Sequence, residues 1–167
     1  MIYWLQSLLL EHGYWLLGLM MFINNFGLIM PGDTLLIASG YFAAKGALPW
    51  EGTLVMATLG CFMGCNVGYW IGVRYGYPLL THVKWLRLTP ERLKRIEGFF
   101  EKYGAKAVFV ARFFSLLHPF TGFVAGTGRT LLRPFVIYNF LGSLLYVCLY
   151  FSIGYFLATH SGSWIKF

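Results

Sequence analysis

Two long stretches without a charged side chain, Gly52 to Val73 and Pro134 to Ala158, constrain the fold of this 167-residue chain more than any other feature. Each exceeds the ~20 apolar residues that a helix needs to cross the hydrocarbon core of a bilayer, so each is expected to be a full transmembrane helix. Charged residues make up 11% of the chain, against about a quarter in soluble domains. The 58% of hydrophobic residues is too high and too evenly spread for a water-facing surface around one core. The chain therefore reads as an all-α integral membrane protein, which excludes a disordered chain, a disulfide-stapled secreted domain and an ordinary soluble fold. The first charge is Glu11, so no basic segment marks a secretory signal.

The other apolar regions are interrupted. His12 to Gly32 contains Asn24-Asn25 and runs into Pro31-Gly32-Asp33, after which Thr34 to Ala44 is too short to span before Lys45. A similar pattern follows Lys106: Ala107 to Ala111 is apolar, then come Arg112, His118 and Pro119, then a short arm from Phe120 to Gly128. Backbone that breaks helix geometry at membrane depth survives only when buried in protein or lining a wet cavity. Both regions are therefore expected to be re-entrant helical hairpins.

The two halves match in order. Glu11-His12-Gly13 precedes the first hairpin as Lys102-Tyr103-Gly104 precedes the second. Ala38-Ser39-Gly40 matches Val124-Ala125-Gly126, Pro49 matches Pro134, and Gly60 and Gly72 match Gly142 and Gly154 at a constant offset of 82. The expected architecture is one domain over residues 1–167. It is an inverted repeat of amphipathic segment, re-entrant hairpin and transmembrane helix: repeat 1 covers about 1–78, a basic connector about 79–100, and repeat 2 about 101–158.

Charge placement sets the orientation. Of the 13 Lys and Arg, eight lie between Arg74 and Lys106. A basic connector between apolar halves reads as a cytoplasmic loop rather than a nucleic-acid surface. Arg129 and Arg133 join it on that side in the inverted arrangement, while Lys45 and Lys166 fall outside and Phe167 is periplasmic. The expected location is the bacterial inner membrane, crossed more than once, with no nucleic-acid partner.

Few residues could carry chemistry. A lone Asp or Arg at the centre of a lipid-embedded helix costs ~2.5–3.5 kcal/mol, which makes Asp33 and Arg112 candidates facing a cavity. Asp33 is also placed to cap the following arm, and an Asp33–Arg112 ion pair is the structural alternative for Arg112. The planar guanidinium suits a phosphate. His118 titrates near neutral pH when unperturbed, though a hydrogen-bonded turn residue is its plainer role. Asn24 and Asn25 are suited either to a headgroup or to tying broken backbone together. Cys61 and Cys65 share a helix face with no second His or Cys pair, so no metal site is expected. Gly60, Gly64, Gly68, Gly72 and Gly76 recur every four residues, which lets another helix approach closely and, as a sharper alternative, leaves a groove for an acyl chain.

Pro31-Gly32-Asp33-Thr34-Leu35-Leu36 with Ala38-Ser39-Gly40, Gly68-Tyr69-Trp70-Ile71-Gly72 with Gly76, Lys102-Tyr103-Gly104, Ala111-Arg112-Phe113 and Val124-Ala125-Gly126 together resemble the DedA family of bacterial inner-membrane proteins, whose shared region is also called the VTT domain. The resemblance implies paired re-entrant hairpins and movement of lipids across the bilayer, undecaprenyl phosphate and phospholipid being the leading substrates and protons a candidate coupling ion. It implies functional roles for a Glu in the first hairpin, the acid of the Pro-Gly-acid motif, and two arginines six apart in the second. Here these positions hold Asn24, Asp33, Arg112 and His118, and Cys65 stands where many relatives have an Asp.

The expected function is a membrane lipid transporter or flippase acting on a phosphate-bearing lipid without covalent chemistry, and compatible with a homo-oligomer. Its substrate and proton-coupling residues would be Asp33, Arg112, His118, Asn24 and Asn25. A non-transporting assembly factor is the alternative. An intramembrane phosphatase is poorly supported, since His118 with Ser115 or Asp33 is too sparse a set for nucleophile and base.

Overall fold

The computed structural model describes residues 2–25, 32–82, 90–114 and 118–161, without the side chains of 2–12, 77–82, 90–93, 95–97, 119 and 161. Pro31, Ser115, Lys166 and Phe167, named in the reading above, and Lys84 and Arg87, two of the eight basic residues between Arg74 and Lys106, lie outside the described residues. Every regular element described is helical: α1 (Ile2–Asn25), α2 (Gly32–Ala44), α3 (Trp50–His82), α4 (Pro90–Tyr103), α5 (Lys106–Ala111), a 3-10 turn (His118–Phe120), α6 (Thr121–Thr127) and α7 (Leu132–Ser161).

Two of these are long and apolar enough to cross a membrane, Trp50–Gly76 within α3 and Leu132–His160 within α7. They contain the two uncharged runs. Both expose large apolar side chains, among them Val55, Met63 and Trp70 on α3 and Ile137, Phe140 and Phe156 on α7. Such broad apolar exposure suits a hydrocarbon surround rather than water. At Gly76, the last residue of the Trp50–Gly76 span, the backbone turns to φ 51°, ψ −146° and kinks α3.

One boundary expected in the first half is absent. The segment around Glu11-His12-Gly13 and the first arm of the hairpin form a single helix, α1. Gly13 stays helical there, whereas Gly104, its counterpart, takes φ 54° and ends α4, its N–H donating to the Phe100 carbonyl at 2.7 Å. A left-handed glycine after the last turn is a common helix stop, because a side chain disfavours that conformation. The second half therefore has two short helices where the first has one long one.

The packing partners follow from glycine. Cβ atoms on Gly60 and Gly64 would run into the Gly18 and Phe22 carbonyls of α1, and on Gly72 into the Phe123 carbonyl of α6. The four-residue glycine track thus seats two helices in tandem on one face of α3. Close backbone approach of this kind replaces the hydrophobic drive that helices lack in lipid. Reciprocally, Gly126 of α6 abuts the Tyr69 carbonyl of α3, Gly40 of α2 abuts the Phe151 carbonyl of α7, and Gly154 of α7 abuts the Ile37 carbonyl of α2. Each of these short helices thus packs on a long helix distant in sequence: α2 on α7, and α6 on α3.

Two buried clusters flank this crossing. One joins Leu17 and Met21 of α1, Leu36 of α2, Ala57 and Cys61 of α3, and Tyr146 and Val147 of α7. The other joins Cys65 and Tyr69 of α3, Ala107 and Val108 of α5, Val124 and Ala125 of α6, and Phe135 of α7. Tyr69 stacks on Phe135 at 4.3 Å and donates its hydroxyl hydrogen to the Thr130 carbonyl, which ties α3 to the link before α7.

Candidate functional site

Arg112 follows the last turn of α5 and is 1% exposed, the largest fully buried side chain. Its stem passes Gly142 of α7, where a Cβ would approach Cδ to 2.8 Å and Nε to 3.2 Å. Its Nη2 donates to Asn139 Oδ1, and the Asn139 amide in turn donates to the Phe62 carbonyl of α3 at 3.2 Å. Nε and Nη1 have no hydrogen-bond partner among the described residues. The Cys61 and Cys65 thiols of α3 lie beside the same guanidinium.

His118 opens the 3-10 turn, held by its N–H on the Phe114 carbonyl at 2.9 Å. The ring is buried within electrostatic range of Arg112, and neither ring nitrogen has a partner among the described residues. It lies 4.6 Å from the Tyr146 ring, at a tilt of 33°. A second buried cation beside Arg112 would be costly, so the geometry suits a neutral imidazole with one N–H donor and one acceptor.

Asp33 stands in the first turn of α2, half-buried. Its Oδ1 accepts a hydrogen bond from the Tyr146 hydroxyl, across 113 residues of sequence. Tyr146 also packs 4.8 Å from Tyr150, one turn further along α7. Of the two readings open for Arg112, the ion pair with Asp33 is not the arrangement seen. Each charge is held by a neutral side chain of α7.

Asn24 and Asn25 close α1, and both are buried. Asn25 donates back to the Met21 carbonyl at 2.8 Å, and its Oδ1 has no partner among the described residues. The Asn24 amide presses on Gly32 where a Cβ would sit, bringing the end of α1 against the start of α2. Tying the two arms together is thus a role visible for Asn24.

The structure gathers Asp33, Arg112 and His118 around one face of α7, with Asn25 linked to the group through Cys61. Sequence reasoning missed Asn139 and Tyr146. The available signal was polar residues at Asn139, Ser143 and Tyr146, three to seven apart on an otherwise apolar helix, since polar side chains inside a span are seldom idle. Elsewhere, an apolar crevice of about 170 Å³ runs between α1 and α2, lined by Leu16, Leu17, Met20, Leu35 and Ala38. A cleft of about 490 Å³ between α3, α4 and α6 has Glu101 and Arg129 on its wall.

Comparison with known proteins places this geometry in context. The profile of the VTT domain matches residues 30–156. The chain is 36% identical over 154 residues to an uncharacterised membrane protein of Synechocystis sp., covering 92% of this chain and 71% of the relative. It is 33% identical over 164 residues to Protein DedA of Escherichia coli, covering 93% and 74%. The inner membrane protein YqjA of Escherichia coli is 29% identical over 153 residues, covering 86% and 67%. No solved structure matches.

Proposed function

The chain belongs to the DedA family of VTT-domain membrane proteins, and on that premise we propose that it moves a phosphate-bearing lipid, undecaprenyl phosphate or a phospholipid, across the bacterial inner membrane. The observation that carries this reading is Arg112: a buried guanidinium held by a neutral amide, with the Cys61 and Cys65 thiols beside it and two nitrogens without a partner among the described residues. A buried cation needs a counter-charge, and removing either member of a buried pair is strongly unfavourable. A lipid phosphate meets that need with oxygens matched to guanidinium donors. His118 adds a neutral donor beside it. The apolar crevice between α1 and α2 suits a lipid chain rather than a soluble phosphate.

The inverted repeat accounts for how such a site serves two sides of a membrane. Under the offset of 82, Phe151 and Gly154 correspond to Tyr69 and Gly72, and each glycine meets a short arm of the opposite half. This exchange is what two oppositely inserted halves with re-entrant hairpins would make, with the site at their interface. Arg112 then holds the phosphate while Asp33 changes protonation or pairing as the site opens to alternate sides. No covalent step is involved.

Reconstitution tests the reading. Purified protein in vesicles should move fluorescent undecaprenyl phosphate or phospholipid between leaflets, and Arg112→Gln should lower the rate at least tenfold. Release of inorganic phosphate would instead indicate a phosphatase. No movement of either lipid would leave the assembly-factor reading.

A further inference from the structure

Opposite charges gathered around one helix attract more strongly as the local dielectric falls. Asp33 and Arg112 are nevertheless not joined: the carboxylate accepts from Tyr146 and the guanidinium donates to Asn139. These two neutral partners are seven residues apart on α7, two helical turns, and so share one face. Between them Gly142 makes room for the Arg112 stem, and Ser143 turns back on its own helix, Oγ donating to the Asn139 carbonyl at 2.7 Å. The face thus receives the two charges on different turns of α7. The phenol is well fixed in this role, since its ring lies against both His118 and Tyr150 and only its hydroxyl reaches the acid.

We propose that Tyr146 is a positioning residue that holds Asp33 away from Arg112 and so keeps the guanidinium available to an anionic lipid. The inference rests on the phosphate reading above, and adds that the site carries its own competitor. Without the Tyr146 hydroxyl, the half-buried Asp33 carboxylate loses its donor, and Arg112, with uncommitted nitrogens, is the cation that replaces it. The internal ion pair then blocks the phosphate site.

The full chain in detergent micelles provides the test in two measurements. The first needs no ligand: a double-mutant cycle of Asp33→Asn and Arg112→Gln, read as thermal midpoint, with and without Tyr146→Phe. The shifts should add with the native tyrosine and depart from additivity by more than about 3 °C in the Tyr146→Phe background. The second is affinity for farnesyl phosphate, a short phosphate-bearing lipid. Tyr146→Phe, which keeps the ring, should weaken binding about tenfold, and adding Asp33→Asn should restore it, because a neutral amide cannot compete for the guanidinium. Additivity in both backgrounds, or a binding loss that Asp33→Asn does not restore, would reduce Tyr146 to a packing residue and overturn the proposal. If the parent and Arg112→Gln bind farnesyl phosphate equally, the phosphate reading fails, and the ligand-free cycle still decides whether Tyr146 separates the two charges.

Discussion

Gly154 of α7 lies against the carbonyl oxygen of Ile37 in α2, leaving no room for a Cβ between them. The obstacle is backbone rather than the end of a flexible side chain, so it cannot step aside without moving a helix. Gly72 of α3 stands in the same relation to Phe123 of α6. The two contacts clamp each short arm to the long helix of the other half.

Substituting either glycine should therefore loosen the clamp. Gly154→Val and Gly72→Val are each expected to destabilise the protein by ~1–3 kcal/mol, the usual cost of overpacking, seen as a lower thermal midpoint in detergent. Gly98 is the control: it lies in α4 with nothing near its missing Cβ. Gly98→Ala should raise the midpoint or leave it unchanged, because alanine is the better helix former.

Orientation is testable by labelling. Lys94 and Thr159 are both exposed, on α4 and near the end of α7. With Cys61, Cys65 and Cys148 replaced, an impermeant thiol reagent added outside spheroplasts should modify Thr159→Cys and spare Lys94→Cys until the membrane is opened. The reverse pattern would place the basic connector in the periplasm.

Removing the buried charge should separate stability from function. Arg112→Met retains much of the side chain's length while deleting a cation whose recorded partner is a neutral amide. Replacing buried ionic groups by apolar ones of similar volume is often neutral or stabilising, so the thermal midpoint should hold or rise while lipid binding is lost. A fall of ten degrees with binding intact would mark Arg112 as structural.

His118 is expected to act as a neutral donor. His118→Gln should keep farnesyl phosphate affinity within about threefold, since an amide also offers an N–H, while His118→Ala should weaken it further. His118→Arg should destabilise the fold by adding a second buried cation beside Arg112. Were affinity instead to strengthen steeply as pH falls through the ordinary imidazole range, and His118→Arg to remove that dependence, His118 would be supplying positive charge.

The sequence and the structure agree where the information is local. Uncharged runs at Gly52 to Val73 and Pro134 to Ala158 mark the two long apolar helices, because lipid tolerates little else. The glycines from Gly60 to Gly72 mark close helix packing, because a missing side chain at every fourth position clears one face. The break at Asn24-Asn25 marks the end of α1, and α5 ends just before Arg112. Continuity of α1 through Gly13 was not legible: glycine permits a stop without requiring one, and only the packed partner decides.

Asp33 and Arg112 were recognisable as candidates from the sequence alone, because a charge in an apolar setting is costly wherever it stands. Their partners were not. Tyr146 lies 113 residues from Asp33 and Asn139 lies 27 from Arg112, both inside an uncharged run with the composition of an ordinary span. Composition and spacing determine which segments become helices and which residues are too polar to face lipid, since those are properties of each segment against its solvent. Which helix lies against which, and therefore which neutral group receives each charge, depends on backbones meeting across the two halves, and the tertiary structure alone decides that.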